Sequence, residues 1–97
     1  MPTYISLLNF TDQGIRTVNE TIQRVDSATE RAQQFGVSVQ SSYWTVGPYD
    51  FVITLEAPDD QSVSAFLLDA ASRGAVRTIT LRAYDREEMS GIIQRLG

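Results

Sequence analysis

"SSYWTVGPYDFVITLEAPDD", Ser41 to Asp60, changes character along its length. Gly47-Pro48-Tyr49-Asp50 reads as a turn, with Pro48 at the position whose φ its ring presets. Before it, Val37–Val46 is a rather polar strand; after it, Phe51, Ile53 and Leu55 alternate onto one face of a returning strand. Pro58, Asp59 and Asp60 then open a helix, where the partial positive charge of the N-terminus favours carboxylates. The segment is therefore a β-hairpin running into a helix. The parity of its loop decides where the aromatics point, because strand side chains alternate between faces. An even loop sets Trp44 opposite Ile53 on the helix-facing side; an odd one turns Tyr43 inward and Trp44 outward. A turn bent at Pro48-Tyr49 predicts Trp44 inward.

Upstream, Thr3–Phe10 (TYISLLNF) is apolar on both alternating sets, Ile5 and Leu7 on one, Tyr4, Leu8 and Phe10 on the other. That predicts a strand covered on both faces. Ile15, Val18, Ile22, Val25, Ala28, Ala32 and Phe35 then recur at helical spacing, predicting one amphipathic helix. Thr11 or Asp12 caps its start, and Gly36 ends it in the left-handed conformation. Downstream of the hairpin, the second helix carries Val63, Phe66, Leu67 and Ala70 and stops at Gly74. "VRTITLRAY" is a fourth strand, and Asp85 caps a short closing helix bearing Met89, Ile92, Ile93 and Leu96.

The order β-α-β-β-α-β with a helical tail predicts an α+β, ferredoxin-like fold: one domain over residues 1–97 with a four-stranded antiparallel sheet. This topology centres the first and third strands, which are the apolar ones, and leaves the mixed second and fourth as edges. Both helices then cover one face. The other is expected to carry Tyr4, Leu8, Phe10 and Val52, with Thr54, Thr80, Arg82 and Tyr84 to one side. Monomers seldom leave so large an apolar patch wet. A second copy packed sheet to sheet, giving a dimeric α+β barrel, is the expected cover; the closing helix folding over that face is the alternative.

Composition narrows the chemistry. The chain has no Cys and no His, which removes thiolates, disulfides, the usual general base near neutral pH and the commonest metal ligand. All eight cations are Arg, so no Lys is present to form a Schiff base. A net charge of −4 has the wrong sign for a phosphate-backbone binder, and no run approaches the roughly 18 apolar residues of a membrane span. No cofactor, metal, nucleic acid or membrane partner is expected, and the location expected is cytoplasmic.

The segments "FTDQGI", "YWTVGPYD", "EAPDD" and "VRTITLRAY" occur in the order and spacing of the GYD-domain family of small bacterial proteins, which the chain resembles over nearly its whole length. The motif behind that name falls here on Gly47, Tyr49 and Asp50, with Pro48 inside it. The resemblance implies a compact α+β domain similar to the dimeric α+β-barrel proteins; it implies no activity.

The candidate ligand-binding residues are Tyr4, Asn9, Phe10, Tyr43, Trp44, Tyr49, Asp50 and Arg82. Each also has a plain structural reading. Gly47 and Asp50 suit a turn, Tyr43 and Trp44 suit packing, and Asp59 and Asp60 suit a helix start. Arg77 and Arg82 suit ion pairs with Glu56 or Asp85. The first functional reading is a homodimeric module that binds a small molecule or a protein partner. The alternative is a cofactor-independent enzyme. It would be a small oxygenase placing an aromatic substrate among Asn9, Tyr43, Trp44, Tyr49 and Arg82, or a tautomerase using the Pro2 amine, exposed by loss of Met1, on an enol.

Overall fold

The computed structural model describes all 97 residues. The elements are β1 (Thr3–Phe10), α1 (Asp12–Arg16), α2 (Thr21–Ala32), β2 (Ser38–Trp44), β3 (Phe51–Glu56), α3 (Asp60–Ser72), β4 (Val76–Ala83) and α4 (Arg86–Gln94). The strands form one antiparallel sheet ordered β2-β3-β1-β4, the ferredoxin-like arrangement with the two apolar strands in the centre. Thr11, Asp59 and Asp85 cap α1, α3 and α4 as read from the sequence, Asp85 through a reciprocal capping box with Glu88. Gly36 and Gly74 take positive φ where their helical segments end. No helix is long and apolar enough to cross a membrane.

The first crossover departs from the single helix expected. It breaks at Thr17 (φ −117°, ψ 31°) into α1, a 3₁₀ turn at Val18–Glu20, α2 and a second 3₁₀ turn at Gln33–Phe35. The Thr17 hydroxyl donates to the Gln13 carbonyl at 2.8 Å and accepts from Arg24. The apolar spacing continues through the break, so periodicity alone does not reveal it. The consequence is that Val25, Ala28, Ala32 and Phe35 reach the core while Ile15, Val18 and Ile22 stay exposed.

What holds α1 is a close approach to Ala75, the residue just before β4. A Cβ built on Gly14 would lie 2.0 Å from the Ala75 carbonyl oxygen, so only glycine fits there. Beside it, the Thr11 amide donates to that same carbonyl at 3.0 Å, and the Thr11 hydroxyl donates to the carbonyl of Gly74.

Pair register corrects the expected division of β1. Tyr4 lies opposite Leu55 and Arg82, Ser6 opposite Ile53 and Thr80, and Leu8 opposite Phe51 and Thr78. Residues directly opposite share a face, so Tyr4, Leu8, Phe10, Thr80 and Arg82 lie on the helix side rather than the open one. Tyr84, placed on the open side with them, instead has its ring against the Arg82 guanidinium. Both sides of β1 are apolar, so alternation could not choose between them; burying the bulkier set beneath the helices does. The core is built from Tyr4, Leu8, Phe51, Ile53 and Leu55 on the sheet, with Val63, Phe66 and Leu67 from α3.

The opposite face carries Ile5, Leu7, Val52 and Thr54, flanked by Ile79, Leu81 and Tyr43. Ile79, Leu81 and Tyr43 remain 51%, 47% and 66% exposed, so no part of the chain covers this face. The closing helix does not fold over it. None of its residues is buried, and the molecule extends 52 Å along its longest axis and 18 Å along its shortest.

Candidate functional site

The hairpin connection spans Thr45–Asp50, longer than the turn read from Gly47–Asp50 but still even in length. It closes through the Thr45 amide on the Asp50 carbonyl (2.9 Å) and the Thr45 hydroxyl on the Tyr49 carbonyl (2.7 Å). Trp44 therefore faces the helix side, as predicted, although its partner across the ladder is Phe51 and not Ile53. The two rings stand 4.9 Å apart, and the indole N–H donates to Thr21 Oγ1 at 3.1 Å, tying the end of β2 to the start of α2.

Asp50 works as a clasp. Its Oδ2 accepts from the Phe10 amide at 2.9 Å and its own amide donates to the Leu8 carbonyl at 2.9 Å. Both groups belong to the end of β1, so Asp50 fastens the hairpin to the central strand. Its Oδ2 is thus engaged in holding backbone.

A second cluster lies along the sheet at the start of α3. The Tyr4 hydroxyl donates to Asp60 Oδ1. That hydrogen bond, and then burial, push the Tyr4 pKa above its ordinary value, so Tyr4 stays protonated and serves as a donor. The Arg82 guanidinium sits 4.4 Å from the Tyr84 ring centre and 5.7 Å from that of Tyr4. It also donates to the Thr3 carbonyl at 3.2 Å and pairs with Glu88 at 3.5 Å, so it ties β4 to α4.

Between these clusters, over the helix-facing side of the sheet, α2 and α3 stand apart and leave a cavity of about 400 Å³. Leu8, Phe10, Phe51 and Ile53 supply sheet residues to its lining, and Phe66 supplies one from α3. Its rim is polar. Arg31 Nε donates to Asp69 Oδ2 at 2.9 Å and Arg31 Nη2 to Oδ1 at 2.8 Å, a two-pronged pair linking α2 to α3. The Arg31 hydrogen bonds hold the Asp69 carboxyl below its usual range, and Asp69 in turn raises Arg31.

Of the eight candidates named from the sequence, Phe10 lines this cavity and Trp44 touches two of its lining residues, Thr21 and Phe51. Tyr4 and Arg82 belong to the separate cluster near α3 and α4. Asn9 and Tyr43 lie on the open face, and Tyr49 and Asp50 belong to the turn. Arg24, Arg31, Asp69 and Arg73 were not singled out by sequence reasoning. Arg24 and Arg31 are seven residues apart, two turns along one flank of α2, but their meeting with α3 is a tertiary fact.

The GYD domain model matches residues 4–93 of the chain. A Thermus thermophilus protein, described as glutamine synthetase and cystathionine beta-lyase binding protein, is 42% identical over 84 residues, which cover 86% of this chain and 88% of the relative. Among solved structures, MtbAldR of Mycobacterium tuberculosis matches with a TM-score of 0.67 at 14% identity over 88% of this chain. This chain spans about half of that one, 54% of its length. The 5-chloro-2-hydroxyhydroquinone dehydrochlorinase of Burkholderia phenoliruptrix, solved with 2,5-dihydroxybenzoquinone, matches with a TM-score of 0.62 at 14% identity over 90% of this chain and 97% of that one. At such identities the two structural likenesses concern the fold alone.

Proposed function

The chain belongs to the GYD-domain family, and from that membership we propose that it is a homodimeric binding module that docks onto other proteins, metabolic enzymes in particular. The observation that carries the docking role is the 42% identical Thermus relative, whose description names two enzymes that it binds. The residue inventory agrees, since the sequence contains no imidazole, no thiol and no Lys amine.

The bare sheet face supports the dimer. Four strands at their usual spacing and β1, with its 8 residues, define a face of about 19 by 26 Å, or roughly 500 Å². Two such faces reach roughly 1,000 Å², the low end for a specific interface. Met89, Ile93 and Leu96, on and just past α4, are also exposed.

The hairpin end is the surface this reading assigns to the enzyme partner. Ile22 and Val46, beside the Trp44–Thr21 contact in sequence, are 63% and 105% exposed. The enzyme alternative lacks comparable support, because Asn9 and Tyr43 lie on one face of the sheet, and Trp44 and Arg82 on the other.

Purified glutamine synthetase and cystathionine β-lyase from the source organism, titrated against the labelled chain, test the docking role. The expected result is saturable binding to at least one of them, weakened at least about tenfold by Ile22→Glu with no change in the mass of the free chain. No binding by the unmodified chain to either enzyme overturns it.

A further inference from the structure

The cavity beneath α2 and α3 carries an inference independent of protein docking. Close-packed interiors leave few voids larger than a water molecule, whereas about 400 Å³ lies within the range of small-molecule pockets. Small side chains keep it open. Ala28 and Ser27 face it from α2 and Ala70 from α3, where Leu or Phe would close it. The floor favours an apolar body; the rim favours something else.

Three guanidiniums on that rim, Arg24, Arg31 and Arg73, stand against two carboxylates, Glu20 and Asp69. Arg31 occupies both Asp69 oxygens, which leaves Arg73 a longer contact of 3.5 Å with one of them. Arg24 reaches Glu20 only at 3.9 Å. The rim therefore carries one positive charge in excess, in a chain whose net charge is −4.

We infer that this cavity binds a small monoanionic amphiphile, a single carboxylate on an alkyl or aryl body, with the carboxylate at Arg24 and the body over Phe51 and Phe66. One surplus positive charge matches one carboxylate, and Arg24, whose contact with Glu20 is the longest ion pair on the rim at 3.9 Å, is the guanidinium least neutralised by the chain's own carboxylates. The apolar floor repays burial of the body but gives nothing to a polar one. Trp44 reports occupancy, since its indole touches both Phe51 and Thr21 at the edge of the cavity.

The probes are 4-phenylbutyrate and its neutral counterpart 4-phenylbutan-1-ol, titrated into the full chain at pH 7 and followed by Trp44 fluorescence and by calorimetry. The acid is expected to bind at least about tenfold more tightly than the alcohol. Arg24→Gln removes that preference and leaves alcohol binding unchanged. Ala28→Phe fills the cavity and weakens both by at least about tenfold; should that variant lose its circular dichroism, Ala70→Leu takes its place. Equal affinity for acid and alcohol, a preference that survives Arg24→Gln, or no saturable binding of either probe overturns the inference.

Discussion

The two faces of the sheet are built from alternate residues of the same strands, and they are finished in opposite ways. On the helix side, Tyr4, Leu8, Phe51 and Leu55 are buried under α3 and α2, and nearby polar groups are tied to specific partners: Ser6 to Thr80 at 3.1 Å, Tyr4 to Asp60. On the open side, Ile5, Leu7, Val52, Ile79 and Leu81 make an aliphatic surface with Tyr43 at its margin. The helix side is closed by interactions within the chain and is shaped around a cavity. The open side is a repeating aliphatic sheet face, the kind of surface by which one sheet packs on another. The difference teaches that the chain's own core and the face proposed for assembly are built on opposite sides of one sheet, so substitutions can test them separately.

The largest effect is expected from Gly14→Ala. The new methyl would collide with the Ala75 carbonyl and lever α1 off β4, costing about 3 kcal/mol or more. Thermal unfolding of the variant checks this; an unchanged midpoint would mean that the close approach is not needed. Next is Leu81→Arg, at a residue 47% exposed in the single chain. It should dissociate the proposed dimer while preserving circular dichroism. The unmodified protein is expected to show a concentration-dependent unfolding midpoint, and the variant to lose it. A monomer that also unfolds would show that the two faces are not separable.

The smallest effect concerns the Arg31–Asp69 link between α2 and α3. The Asp69 pKa is lowered in the folded chain, chiefly by the Arg31 hydrogen bonds. The unfolded state therefore binds more protons in the acid range. The stability the pair contributes is present above the unfolded carboxylate value of about 4 and is lost as pH falls through the lower folded value. Asp69→Asn should flatten the decline in stability on acidification. An identical acid profile for the variant and the unmodified chain would show that the bridge adds nothing.

Much of this architecture is legible in the sequence because local rules decide it. Caps at Asp59 and Asp85, the stops at Gly36 and Gly74 and the alternation of Phe51, Ile53 and Leu55 each follow from one short segment. The apolar weight of β1 and β3 placed them in the centre. Two features resisted. The faces of β1 depend on a register that pairs residues about fifty positions apart, and a strand apolar on both sides carries no preference of its own. The break at Thr17 lies inside an unbroken helical periodicity.

The site was less legible still. Trp44 was oriented correctly from loop parity, whereas Arg24, Arg31, Asp69 and Arg73 meet only once two helices are laid side by side. In the sequence Asp50 reads as a turn residue and a candidate ligand contact. Its role as a clasp appears only when the end of β1 is brought against the turn.

The claim on which the rest depends is that the bare face is covered by a second copy. Light scattering on the unmodified chain at micromolar concentration tests it most directly. The account predicts twice the 10.8 kDa of one chain, and a single-chain mass under the same conditions would contradict it.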